Sequence, residues 1–161
     1  MLRPVIMIMG MIALPLQVLA AIQSVPSVDG ALISAIAGSS PGDVLLLDPG
    51  SHMGPIELDK PITIDGQGQA TIKGNETGSV ISVTGTDITI RGLEIAGSGS
   101  SHETIDSGIQ LHRTAANIVV EDNRILGNLY GVDIHGAKDA TVRGNTIIGR
   151  RDHRMNSRGN G

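Results

Sequence analysis

Ile62-Thr-Ile-Asp-Gly66, Ile88-Thr-Ile-Arg-Gly92, Ile118-Val-Val-Glu-Asp122 and Ala140-Thr-Val-Arg-Gly144 repeat one pattern, at spacings of 26, 30 and 22 residues. In each block the first and third residues are apolar, which is the alternation of a strand with one buried face. A second run follows each of the first three blocks: Val80-Ile-Ser-Val83, Gly108-Ile-Gln-Leu111 and Gly131-Val-Asp-Ile134. A third apolar position recurs at Ile95, Ile125 and Ile147. Each repeat therefore carries two or three short strands joined by Gly and Asn turns. None contains a helix long enough for a βαβ crossover, so strands of successive repeats must pair directly, one coil above the next. The expected architecture is all-β: a right-handed parallel β-helix of about 22 residues per coil, whose stack buries a face that no coil buries alone. A β-sandwich has antiparallel neighbours and no reason to keep a 22-residue period.

This register makes three further expectations. Ile62, Ile64, Ile88, Ile90, Ile118, Val120, Ala140 and Val142 point inward. Asp65, Arg91, Glu121 and Arg143 fall at one outward position with alternating sign, and opposite charges on neighbouring strands attract across about 4.8 Å. Asn123 and Asn145 occupy one turn position, where stacked amides bond to each other as a ladder.

Composition agrees with thin layers rather than a bulky core. The 161 residues include 22 Gly, one Tyr (Tyr130), and no Phe or Trp. Ile, Val, Leu and Ala must fill the interior. The net charge is −4, and no long basic run precedes residue 150, which argues against a nucleic-acid partner. Without Cys there is no disulfide framework and no thiolate metal site.

Upstream of the repeats, Arg3, the apolar run Val5–Leu14 and the small-residue ending Val18-Leu19-Ala20 have the layout of a secretory signal peptide. The expectation is cleavage after Ala20 and a periplasmic protein whose single domain is residues 21–161. Asp29 reads as the N-cap of a short helix with Leu32, Ile33 and Ile36 on one face, ended by Gly38-Ser-Ser-Pro-Gly42. Such a helix must cover something, here the open first coil. Asp43-Val-Leu-Leu-Leu47 reads as a buried strand and Asp48-Pro-Gly50 as a turn. The chain stops in mid-repeat at Gly161, so the domain is expected to be truncated at its C-terminal end.

Function on such a scaffold tends to sit in long loops. Two repeats are longer than the 22-residue coil, and their extra residues, Ser98–Asp106 and Arg150–Arg158, fall at the same turn on coils two apart and therefore on one side of the stack. They hold His102, Glu103, Asp106, Asp152, His153 and Met155. Imidazole and thioether without thiolate suit copper better than structural zinc; the alternative is ordinary polar loops. A second pair is tighter. His112 and His135 each follow the same strand unit on adjacent coils, with Gln110 and Asp133 on that outer face. They either share a metal or are solvated turn histidines. No nucleophile elbow and no clustered carboxylates occur, so no enzymatic activity is expected.

Pro41-Gly-Asp-Val-Leu-Leu-Leu47 with Pro61-Ile-Thr-Ile-Asp-Gly-Gln-Gly68 resembles the opening of pectin-lyase-like β-helices. Ile90–Ile109, through the first long loop, and Val142-Arg-Gly-Asn-Thr-Ile-Ile-Gly149, leading to Arg158-Gly-Asn-Gly161, are similar to the NosD family of nitrous oxide reductase maturation proteins. The resemblance covers nearly all of residues 28–161. It implies a periplasmic β-helix that acts with ABC-type transporter subunits in assembling the copper–sulfide centre of nitrous oxide reductase. It transfers no ligand set, so His112, His135, His102, His153 and Met155 stand as metal candidates on geometry alone. A polysaccharide-binding or polysaccharide-modifying β-helix, and a purely structural solenoid, are the other readings.

Overall fold

The computed structural model describes residues 19–151; the expected leader up to Val18 and the loop positions from Asp152 onward, including His153 and Met155, lie outside them. The chain winds as a parallel β-solenoid of about six turns, each of about 23 residues. Strand β1 (Ile22–Val25) is followed by helix α1 (Ala31–Gly38) and then by strands alone: β2 (Val44–Leu47), β3 (Gly50–Met53), β4 (Ile56–Leu58), β5 (Thr63–Lys73), β6 (Ile81–Val83), β7 (Thr89–Ala96), β8 (Ser107–Leu111), β9 (Val119–Glu121), β10 (Arg124–Leu126), β11 (Tyr130–Ile134), β12 (Thr141–Arg143) and β13 (Thr146–Ile148). Every described pairing is parallel and joins one coil to the next. A larger sheet bends round two sides of the coil, and a four-stranded sheet, β4-β6-β8-β11, forms the third.

The interior consists of vertical rows. Leu45, Ile64, Ile90, Val120 and Val142 stand in register. So do Ile56, Ile81, Ile109 and Val132 on the small sheet, beside Leu58, Val83 and Leu111, a row that ends at the exposed Ile134. The third apolar position also forms a row, His52, Ile72, Ile95, Ile125 and Ile147. From Ile62 to Val120 all six expected inward residues are buried. Val142 is 38% exposed and Ala140 half-buried, contrary to expectation. Both lie in the last described coil, where no described residue covers them.

The charge row forms as read. Asp65 pairs in register with Arg91, Arg91 with Glu121, and Glu121 with Arg143. The Arg91–Asp65 and Arg143–Glu121 contacts are 2.9 and 2.6 Å. Glu121, by hydrogen bond and charge, holds the Arg143 guanidinium above its ordinary pKa.

Each coil turns between its strands through one residue in the left-handed region. Gly92, Asp122 and Gly144 take φ of 62°, 55° and 66° directly after Arg91, Glu121 and Arg143. Gly and Asp tolerate this conformation, which explains the last letter of these three repeats; the first repeat turns instead at Gln67 and Gly68, at φ 52° and 73°. At the corner that precedes these strands Asp87, Asn117 and Asp139 do the same at 56°, 55° and 51°.

The N-terminal helix caps the stack, with two corrections. Gly30, at φ 75°, occupies the N-cap and no side chain caps the helix, so Asp29 does not. A left-handed residue at that point turns the chain into the helix without help from a side-chain oxygen. Leu32, Ala35 and Ile36 face the core, but Ile33 is 53% exposed. An eight-residue helix lying on a narrow coil end buries only a stripe. Lys60 Nζ donates to the carbonyl oxygens of Ala37 and Ser39, closing the helix C-terminus.

Candidate functional site

The loop after β7 is the largest departure from the regular coil among the described residues, and it is braced from every side. Asp106 is 4% exposed and accepts from the Ser101 amide at 2.9 Å and from Thr104 Oγ1 at 2.6 Å. Ile105 takes φ 54°, a conformation that costs a β-branched residue energy and persists only where surrounding contacts fix it. His102 Nδ1 and the Tyr130 hydroxyl are 2.7 Å apart, with the rings edge-to-face. From two coils above, Arg150 Nη1 donates to the Gly99 carbonyl oxygen at 3.2 Å and Ser100 Oγ at 2.7 Å. The first residue of the second long turn therefore does reach the first, on the same side of the stack.

Beneath this loop lies an open groove of about 500 Å³. Its floor is the outer face of the small sheet, Ser82 and Gln110, and its walls include Thr77, Ser101, Thr104 and His112. Gln110 Nε2 donates to the Thr104 carbonyl oxygen at 3.2 Å and to Asp133 Oδ2 at 3.3 Å, which places Gln110 and Asp133 together on the outer face as expected. No Lys or Arg lines the groove. Its chemistry is that of hydroxyl, amide, one imidazole and the Asp106 carboxylate.

His112 and His135 occupy equivalent places. The His112 amide donates to the Val83 carbonyl oxygen, and the His135 amide to that of Leu111, one coil apart. His112 is half-exposed and His135 exposed. Among the described residues no group of three or more His, Asp or Glu is assembled to hold a metal. His102 is engaged with Tyr130 and does not join the pair. His112 and His135 thus stand at equivalent places on neighbouring coils, with no third His, Asp or Glu assembled around them among the described residues.

Three functional-looking features escaped the sequence reading. His52 replaces isoleucine at the start of an interior row, 1% exposed; its Nε2 lies 2.9 Å from the Asp48 carbonyl oxygen, while Nδ1 has no partner. Asn128 bonds the Ser98 amide and the Ile95 carbonyl oxygen, forming a second buried amide step. Its 30-residue offset from Ser98 equals that of Asn123 from Leu93, and this was the available signal. Tyr130 had none, because its partner arrives on a loop.

Known proteins supply the family. Residues 60–159 match the model of the right-handed β-helix region. The chain belongs to that β-helix family. It is 28% identical over 115 residues to the "Probable ABC transporter binding protein NosD" of Stutzerimonas stutzeri, covering 71% of this chain and 26% of the relative. The protein of the same name from Pseudomonas aeruginosa is also 28% identical over 115 residues, with 71% and 27% coverage. The matched region thus spans about a quarter of these relatives' length. Among solved β-helices, an alginate lyase from Paenibacillus sp. strain FPU-7 superposes with a TM-score of 0.64 and 25% identity, over 76% of this chain and 43% of the lyase. The β-helix core is thus shared between transporter-associated proteins and enzymes. No helix of the described residues is long and apolar enough to cross a membrane.

Proposed function

We propose that this protein is an exported, non-catalytic accessory factor of the NosD type. In this reading it works beside an ABC-type transporter in the assembly of the copper–sulfide centre of nitrous oxide reductase. The similarity to the two NosD relatives over 115 residues carries the reading. The leader-like residues 1–20 support export to the periplasm, and the relatives' name supports a transporter as partner. The face bearing the braced loop, the polar groove and the His112–His135 pair is where cargo or partner would meet the scaffold. Copper is the cargo the two imidazoles suit, with His153 and Met155 as further candidate donors from the sequence and His102 only if it leaves Tyr130.

The test is titration of the purified protein with copper(I), against a chromophoric competing chelator, and with copper(II). One-to-one binding that disappears in His112→Ala/His135→Ala would support the reading and locate the site. Loss instead in His102→Ala/His153→Ala would move the site to the loops. Absence of binding in every form would remove copper handling and leave a docking scaffold.

The groove favours one second reading. Its hydroxyl and amide lining suits a hydroxyl-rich saccharide, and the Asp106 carboxylate with no cation beside it suits a neutral one rather than a polyuronate. Retardation on a neutral polysaccharide gel with a silent copper titration would favour it.

A further inference from the structure

The Ala21 amide, the one that cleavage after Ala20 would free, donates at 2.8 Å to Asp43 Oδ1. Asp43 Oδ2 accepts from the Ser40 amide, also at 2.8 Å, and the residue is only 8% exposed. Leu19 and Ala20 are exposed and belong to no element, and β1 begins one residue after Ala21. The Val44 amide bonds the Ala21 carbonyl oxygen, so Ala21 is held on both sides against the start of β2.

We propose that removal of the leader turns the Ala21 amide into an ammonium paired with the Asp43 carboxylate, so that processing itself latches the first coil. The inference rests on the export reading above. Hydrolysis adds one water across the Ala20–Ala21 bond. The hydroxyl goes to the Ala20 carbonyl carbon and a proton to the Ala21 nitrogen. At neutral pH the proton of the new carboxyl group passes through solvent to the amine, giving carboxylate and ammonium. A hydrogen bond charged only on its acceptor thereby becomes an ion pair charged on both partners, which adds a direct Coulomb attraction.

Among the described residues no other charged side chain bonds this pair. Helix α1 carries no ionisable residue. Lys60 donates to Ala37 and Ser39, Asp48 at the far end of β2 accepts from Ser24, and Asp65 on β5 pairs with Arg91. Hydrogen bonds from Ser40 and Ala21 hold the Asp43 carboxyl below its ordinary value of 3.8. Its contribution is therefore present above that value and lost as pH falls through the folded pKa. An α-amine beside a carboxylate has its pKa raised. Its contribution is fully present below about 7.8 and lost as pH rises through the folded value.

N-terminal sequencing of the protein recovered from the periplasm decides processing by itself. The latch is tested on the chain beginning at Ala21, with its amine free or Nα-acetylated. The free form is expected to melt on the order of 2 °C higher near pH 6, with the difference vanishing by about pH 10 and absent in Asp43→Asn. Coincident melting of the two forms at pH 6 would overturn the latch even if cleavage occurs at Ala20. Cleavage elsewhere would overturn its premise while the melting data still reported the pair.

Discussion

Asn145 Oδ1 accepts two hydrogen bonds from Asn123 one coil below, the backbone N–H at 2.9 Å and the side-chain Nδ2–H at 3.0 Å. Asn123 in turn accepts from the Leu93 amide and donates to the Ile90 carbonyl oxygen, and it is 1% exposed. A corner of the coil whose backbone groups cannot reach the next strand is thus satisfied by one buried amide. Asn123→Ala takes the partner from two buried backbone groups and is expected to cost about 2–4 kcal/mol in urea unfolding. Asn145→Ala, half-buried in the last described coil, should cost about 1 kcal/mol. Equal losses would mean that the ladder, and not burial, sets the energy.

The outward charge row and the inward apolar row differ by one residue. Arg91→Glu places three carboxylates in succession on an exposed strand face, with an expected loss of about 1 kcal/mol or less. Ile90→Asp buries an unpaired charge beside Ile64 and Val120 and should remove more than about 4 kcal/mol or prevent folding. Denaturant midpoints with unchanged slopes provide the comparison.

Three histidines should respond differently to one substitution. His52→Ala opens a cavity at the start of an interior row and is expected to cost about 2–4 kcal/mol. His52→Ile extends the isoleucine row and relieves the unpartnered Nδ1, at the loss of the bond to Asp48, so a net change within about 1 kcal/mol is expected. His112→Ala and His135→Ala should each shift stability by less than about 0.5 kcal/mol. Thermal melts of these variants also establish that any loss of copper binding in the double variant reflects ligands and not unfolding.

Arg150 fastens the first long loop from two coils above. Arg150→Ala should leave global stability within about 1 kcal/mol, because the contact is partly exposed. Amide exchange over Ser100–Thr104 should accelerate about tenfold, and the amides of β8 should stay protected. Unchanged exchange in the loop would show that Asp106 and Tyr130 suffice to hold it.

The sequence by itself determined the coil. A period-two apolar pattern repeating at coil length admits only direct stacking of strands, so the inward rows, the Asp65–Arg91–Glu121–Arg143 row and the Asn123–Asn145 step were all legible. Each of these depends on register alone. The strands β3 and β4 were not legible, because His52 interrupts the apolar pattern and the coil there is short. Asp29 was misread as a cap because sequence rules rank side-chain oxygens first, whereas Gly30 adopts the left-handed turn. The exposure of Ile33 and Val142 followed from what lies above and below each residue, which periodicity does not encode. The site depended most on tertiary structure. His102 meets Tyr130, Arg150 meets Gly99, and Ala21 meets Asp43 only because the winding carries distant residues to neighbouring points. Local sequence fixes which face a side chain takes; the stacking of coils decides what it touches.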